Sequence, residues 1–438
     1  LKGRNGNMKI SKIRQNDFEK LLARLRQRNG EELEEVSEPV RSIISDVRAK
    51  GDKAVFEYTE KFDGVVLNRL EIDKNTISDA IKSLKPELVS SIRKAADNIR
   101  RFHEKQKRNS WFFTEENGVL MGQKVTALER VGVYVPGGTA PLPSSVLMNV
   151  IPAKVAGVKE IIMCTPPGKN GLPDPVILAC ADIAGADRVF AVGGAQAVAA
   201  MAYGTESIPK VDKITGPGNI YIATAKKMVY GICGIDMIAG PSEILIIADE
   251  TANAEFVAAD LLSQAEHDIL ASAILITTSC ELAESVEKEI EKQAEKLPRK
   301  DFISRSLSGY GAIILADTLK DAVMMSNTIA PEHLELCVEN PFELLGDITN
   351  AGAVFLGNYT PEPLGDYMAG PNHVLPTNGT ARFYSPLSVD DFVKKTSVIS
   401  YSKQALEGLM KDVCLFAESE GLEAHANSVR IRFEGENK

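Results

Sequence analysis

From Glu129 onward the chain alternates short β-branched runs with longer apolar-periodic ones, and this rhythm restricts the fold more than any other feature. Residues 131–135, 160–164 and 188–192 read as strands, with helices predicted over 144–156, 173–184 and 196–203 between them. Strands joined through helices pair in parallel, because the crossover returns the chain to the same end of the sheet. The rhythm then repeats. Strands are predicted over 243–248, 271–277, 311–316 and 351–356, separated by helices over 252–266, 281–295 and 319–328. The predicted class is therefore α/β, with two Rossmann-like parallel-sheet halves. Helical extensions flank them: residues 10–109 repeat apolar side chains every three or four positions, and the chain turns helical again after about Pro386, with Gly421 breaking the last helices. The charged stretch 284–300 reads as a solvated helix face.

A length of 438 residues implies roughly two to three domains, and 44% hydrophobic with 25% charged residues is ordinary globular composition. The formal charge of -10 would repel a polyanion, which argues against a nucleic-acid partner. No apolar run approaches the roughly 18 residues of a membrane span. The six cysteines are dispersed with no C-x-x-C pair, as expected of buried free thiols in a reducing compartment. Residues 1–10 lack the apolar core of a signal peptide, which points to the cytoplasm; Met8 fits a natural start, with residues 1–7 an addition.

There is no G-x-G-x-x-G. Glycine-rich turns stand instead at Pro136-Gly137-Gly138, Gly193-Gly194, Gly216-Pro217-Gly218 and Gly240-Pro241, each beside a predicted strand or helix. Free N–H groups at such helix starts can face a phosphate, although a structural turn explains each one alone. A nucleotide site here would be a variant of the usual dinucleotide fold.

Only five histidines are present, and four lie in polar, punctuated segments. His103, among Arg101, Phe102, Glu104 and Lys105, reads as an ordinary surface residue. Gln264 and His267 are three apart at a predicted helix end, so amide oxygen and imidazole project from one face and could share a divalent cation. A capped helix end with a satisfied histidine is the commoner outcome of that pattern. In Pro331-Glu332-His333 an imidazole that titrates near neutrality suits a general base, and the adjacent carboxylate could orient it or activate water. A charged helix start is the commoner origin of a lone Glu-His dipeptide. Asp366, in the Gly- and Pro-dense stretch 365–376, is a hard-oxygen ligand candidate or an Asx turn, and His373 is expected to bond within its loop. Glu420 and His425 straddle the Gly421 break. Two imidazoles and two oxygen donors without thiolates would suit Zn²⁺ or Mn²⁺ with positions open to substrate.

At these residues the chain resembles the histidinol dehydrogenase family over nearly its whole length. Val133 to Gly138, Gly193 to Ala197, Gly216 to Asn219, Ala239 to Glu243, Gln264 to His267, Pro331 to His333, Gly365 to Tyr367, Gly370 to Pro376, Glu420 and His425 all match, in order. The resemblance implies that Gln264, His267, Asp366 and His425 hold one zinc ion per subunit. It implies that Glu332 and His333 are catalytic and that Tyr134, Gln196 and Asn219 contact NAD. Ser242, Gln264, His267, His333, Asp366, Glu420 and His425 are the implied contacts to L-histidinol. It further implies an intertwined homodimer in which Glu420 and His425 serve the other subunit's site. The division expected on this basis is an N-terminal helical extension over 1–30 and a first α/β domain over 31–130 and 240–385 with the metal and catalytic residues. A second α/β domain over 131–239 would contact NAD, and a C-terminal helical segment over 386–438 would reach the partner.

The implied reaction is the two-step oxidation of L-histidinol to L-histidine, the last step of histidine biosynthesis. An alternative on the same scaffold is a dehydrogenase of another polar alcohol such as a sulfonated diol, which Glu420 disfavours because a carboxylate repels a sulfonate. A zinc hydrolase using Glu332, and a non-catalytic metal- or nucleotide-binding module, are the readings from other classes. The paired α/β runs and glycine turns favour a dinucleotide over the first, and the second leaves Glu332-His333 without a role.

Overall fold

The computed structural model describes residues 10–14, 17–28, 36–137 and 141–434, so Met8, residues 1–7 and Gly138 lie outside the described residues. Strands, numbered along the chain, are β1 (Ser11–Arg14), β2 (Trp111–Thr114), β3 (Leu120–Ala127), β4 (Arg130–Tyr134), β5 (Glu160–Thr165), β6 (Arg188–Ala191), β7 (Lys213–Thr215) and β8 (Gly234–Ile235). They continue with β9 (Glu243–Ala248), β10 (Ser272–Thr277), β11 (Ala312–Leu315), β12 (His333–Cys337), β13 (Ala353–Leu356) and β14 (Val393–Ser400). Two compact units form: one from residues up to Gln106 with Leu128–Phe392, the other from Lys107–Ala127 with the chain from Val393 on.

The larger unit holds two parallel sheets, ordered β6-β5-β4-β7-β8 and β1-β11-β10-β9-β12-β13. Counted from β4 and from β9, both run third, second, first, fourth, fifth strand, so the two α/β halves repeat one doubly wound topology. Central strands such as β9, Glu-Ile-Leu-Ile-Ile-Ala, are buried at every position, because helices cover both faces. On the five-stranded sheet one face packs helices Pro143–Ala156, Pro175–Ala184 and Pro86–Glu104, and the other packs Ser37–Lys50, Asp52–Asp63, Gly194–Tyr203 and Ile220–Val229. The six-stranded sheet packs Ala254–Ala265, Cys280–Ala294 and Lys300–Tyr310 on one face, and Phe18–Gln27 with Leu319–Ile329 on the other.

Three features depart from the sequence expectation. Helices between Ser37 and Glu104, expected with residues 240–385, lie on the five-stranded sheet; Leu70 and Ile72 there exchange backbone hydrogen bonds with Ala191 and Val189 of β6. The N-terminal extension is not wholly helical, since β1 pairs in parallel with β11 and forms an edge strand. Nor is the C-terminal segment: β14 pairs antiparallel with β3 over eight residues, and β3 pairs with β2, within the smaller unit. Its helices Lys403–Ser419 and Glu423–Arg430 pack on each other through Cys414, Ala417 and Ala426.

No described helix is long and apolar enough to cross a membrane. All six cysteines are free, five of them buried. His103 is buried, correcting its surface assignment. It continues the inward stripe Ile92, Ala96, Ile99 and sits 2.7 Å from Gln106 Oε1 through Nδ1.

Candidate active site

Helix Leu319–Ile329 ends at Ala330, which adopts a left-handed conformation (φ 56°), and Pro331 then prevents the helix from resuming. The chain enters β12 directly, so Glu332 and His333 stand at the amino end of a central strand rather than at a helix start. Both are buried. The Glu243 N–H donates to Glu332 Oε2 at 2.9 Å, and His333 Nδ1 lies 2.9 Å from the Glu243 carbonyl oxygen. That carbonyl can only accept, so Nδ1 carries the proton and Nε2 is left as an acceptor. Burial pushes the His333 imidazole down to about 4, which keeps it neutral, and pushes the Glu332 carboxyl well above the usual range. Arg28 pairs with the buried Glu243 carboxylate, and also donates to Leu270 O at 3.1 Å and Asn378 Oδ1 at 2.8 Å.

Helix Glu362–Tyr367 brings Glu362 and Asp366 to the same place, four residues and one turn apart. His333, Glu362 and Asp366 each offer a ligand atom within 4.8 Å of the others, a group able to hold a metal ion. Only Asp366 belongs to the ligand set implied by the sequence; Glu362 was missed. Its signal was the carboxylate pair at i and i+4 in Pro361-Glu362-Pro363-Leu364-Gly365-Asp366. Burial, with Asp366 adjacent, pushes Glu362 up to about 9. Burial also pushes Asp366 up, but the His373 hydrogen bond and the charges of His373, His333 and His267 outweigh it and hold that carboxyl below its ordinary value. His373 Nδ1 lies 3.4 Å from Asp366 Oδ1, a contact within the loop as expected.

Gln264 occupies the last turn of helix Ala254–Ala265 and is fully buried, yet neither its amide oxygen nor its nitrogen has a hydrogen-bond partner among the described residues. His267, just past that helix end, is exposed, and its charge acts on both Asp366 and His333. Ser242 directly precedes β9, half-buried, its carbonyl bonded to Ser272 N–H at 3.0 Å. A cavity of about 470 Å³ opens beside this group, lined by His333, Asp366 and His373 and by apolar Phe102, Phe355 and Leu364. Glu420 and His425 are exposed residues of the smaller unit, each bonded through its backbone N–H within that unit's helices.

The residues implied for NAD lie at the opposite kind of edge, the carboxyl ends of the five-stranded sheet. Tyr134 ends β4, and its hydroxyl accepts from the Gly194 N–H at 3.3 Å, at the start of helix Gly194–Tyr203. Gln196, in the first turn of that helix, is fully buried, with neither amide atom partnered among the described residues. Asn219 caps helix Ile220–Val229, accepting from the N–H groups of Tyr221 and Ile222. Between β4 and β7, where the strand order reverses, Gly216 packs so closely on Tyr134 backbone that any Cβ would collide, and its φ of 118° admits only glycine. Lys226 donates to the Gly216 carbonyl at 2.9 Å and pairs with Asp236, whose other oxygen accepts from the Gly216 N–H at 2.8 Å.

Comparison with known proteins closes the question of ancestry. The family model described as histidinol dehydrogenase matches residues 26–433. The chain belongs to the histidinol dehydrogenase family. A histidinol dehydrogenase of Clostridium acetobutylicum is 57% identical over 417 residues, 95% of this chain and 97% of that protein. One of Bacillus cereus is 55% identical over 423 residues, 96% of this chain and 98% of that protein. The crystal structure of histidinol dehydrogenase from Elizabethkingia anophelis superposes with a TM-score of 0.93 at 40% identity, covering 99% of this chain and all of that one. Membership makes the chain an oxidoreductase, and the predicted fold class stands with it.

Proposed function

We propose that this chain oxidises L-histidinol to L-histidine through bound L-histidinal, reducing two NAD, with one zinc ion per subunit. The observation that carries the reading is the seating of Glu332 and His333 beside Glu362 and Asp366, at the edge where helix carboxyl ends converge. Helices Ala254–Ala265 and Leu319–Ile329 both point their negative dipole ends there, next to Gln264 and Glu332. That field suits a cation.

The donor set fits zinc. Gln264 presents a buried amide with no partner among the described residues, a costly arrangement unless a ligand completes it. With His267, Asp366 and His425 from a second copy of the chain, it would hold the ion. Bound there, zinc would supply Lewis acidity and fix the amino alcohol. His333, neutral and anchored through Nδ1, would take the hydroxyl proton at Nε2, and NAD when bound would supply the hydride acceptor. With a cation bound beside it to favour its ionised form, Glu332, oriented by the Glu243 N–H, would take a proton from the water that adds to the aldehyde, and the hydrate would give up the second hydride. Keeping the aldehyde bound avoids releasing a reactive intermediate. Glu420 of the second copy would face the cationic substrate amine.

The dinucleotide belongs in the crevice between β4 and β7, where the positive dipole ends of the helices that follow these strands suit its pyrophosphate. The test is NADH formed per histidinol consumed, with and without a chelator. Two NADH per molecule and loss of turnover with chelator are expected. No NADH from histidinol would reject the reading, and turnover of a sulfonated diol in its place would favour the alternative.

A further inference from the structure

Dinucleotide-binding sheets commonly carry an acidic residue at the carboxyl end of the second strand, where it accepts from the adenosine ribose. Here that strand, β5, ends in Thr165-Pro166-Pro167, and its one acidic residue, Glu160, sits at the far end and pairs with Arg130. The strand cannot supply a carboxylate at that end.

Another carboxylate reaches this edge. Helix Asp52–Asp63 begins beside the far end of helix Gly194–Tyr203, where the Asp52 N–H donates to Glu206 at 2.7 Å and Ser207 Oγ donates to Asp52 at 2.5 Å. The two helices pack on each other, so the closing residue Asp63 lies toward the amino end of helix Gly194–Tyr203. The returning chain fixes this independently: Leu70 O accepts from Ala191 N–H at 2.8 Å and Glu71 bridges Phe190 antiparallel to β6, so residues before Leu70 lie beyond the carboxyl end of β6. Asp63 Oδ2 is buried there without a hydrogen-bond partner among the described residues. Burial pushes its carboxyl up to about 6, and its charge acts on the Tyr134 phenol. Around the same edge, among the described residues, Gln196 leaves both amide atoms unpartnered, and Thr165 and Thr215, ending β5 and β7, leave their hydroxyls so.

We propose that Asp63 accepts the 2′-hydroxyl of the adenosine ribose and makes this chain select NAD over NADP. The inference rests on the NAD reading above and adds a residue that the strand-end pattern does not provide. A carboxylate in this position gains a charge-assisted hydrogen bond from the hydroxyl and repels a 2′-phosphate held at the same point.

Calorimetric titration of the full-length protein with NAD, NADP and 2′-deoxy-NAD tests it without relying on turnover. Wild type should bind NAD at least about tenfold more tightly than either analogue, the scale of one hydrogen bond to a charged group. Asp63→Asn should lose about tenfold for NAD and bring NAD and NADP within about threefold of each other. Equal binding of NAD and 2′-deoxy-NAD by wild type overturns the assignment and needs no variant. A preference for NAD retained in D63N also overturns it, while the NAD reading stands. Wild type that binds neither dinucleotide overturns the NAD reading itself, and this inference with it.

Discussion

Replacing Lys226 with methionine isolates one buried charge at the turn between β7 and helix Ile220–Val229. The Lys226 and Asp236 side chains are 3% and 1% exposed, so their attraction is little screened by solvent. Removing one partner of a buried pair leaves the other charge uncompensated, at a cost of about 3–5 kcal/mol. Asp236 would keep two backbone donors, the N–H groups of Gly216 at 2.8 Å and Met237 at 2.7 Å, which places Lys226→Met near the lower end, about 3 kcal/mol. Asp236→Leu should be worse, near about 5 kcal/mol, because it strands the ammonium and orphans both N–H groups together. Urea unfolding followed by far-ultraviolet circular dichroism ranks the variants, and NAD titration reads the turn itself. Since Lys226 and Asp236 grip Gly216 from both sides, K226M should also weaken NAD binding while zinc content stays unchanged. A loss below about 1 kcal/mol, or D236L milder than K226M, would refute the reasoning.

Other outcomes follow from groups already placed. Gln264→Leu should leave stability unchanged or raise it by up to about 2 kcal/mol, since it removes an unbonded buried amide, yet zinc measured by atomic absorption should fall from one per chain toward none. Asp63→Asn should be more stable than wild type above about pH 6. The folded carboxyl is raised to about 6 from an ordinary 3.8, so it binds its proton more tightly folded than unfolded, and the penalty accrues as pH rises between those values. Paired melts should therefore show the variant's advantage vanishing as pH falls to about 4; an advantage independent of pH would contradict the assignment. Co-expressing Asp366→Asn with His425→Gln, each inactive alone, should restore about a quarter of wild-type turnover. Half the dimers are then mixed, each with one intact site if the site is shared. No recovery would place both residues in one subunit's site.

Much of the fold was legible because fully covered parallel strands must be apolar throughout: β9 matches its predicted bounds, and β4, β5, β6, β10, β11 and β13 differ only at their ends. Short strands were not. β7 and β8 have three and two residues, too few to show a period, and β12 was hidden by Glu332, His333 and Glu335, whose burial depends on partners distant in sequence. β14, Val-Lys-Lys-Thr-Ser-Val-Ile-Ser, carries β-branched residues that propensity favours for a strand, but its predominantly exposed pattern gave no clean alternation. At the site, histidines and glycine turns drew attention to residues 264–267, 332–333 and 365–376. Glu362 escaped notice because a carboxylate between two prolines resembles any turn until the helix brings it within a turn of Asp366. The placement of His333 at the amino edge of its sheet was not readable either, since it depends on which strand end the chain enters first.

The contact between Arg28 and Glu243 joins a helix near the start of the chain to the strand that orients the proposed catalytic pair. Glu243 supplies the N–H that aims Glu332 and the carbonyl that fixes the tautomer of His333, and Arg28 counters its buried charge. A protein shortened to begin after residue 28 would retain every residue assigned to the reaction while losing the counterion that steadies them. Trimming or tethering this amino-terminal stretch therefore amounts to altering the catalytic centre, and preparations that differ only there should not be assumed equivalent.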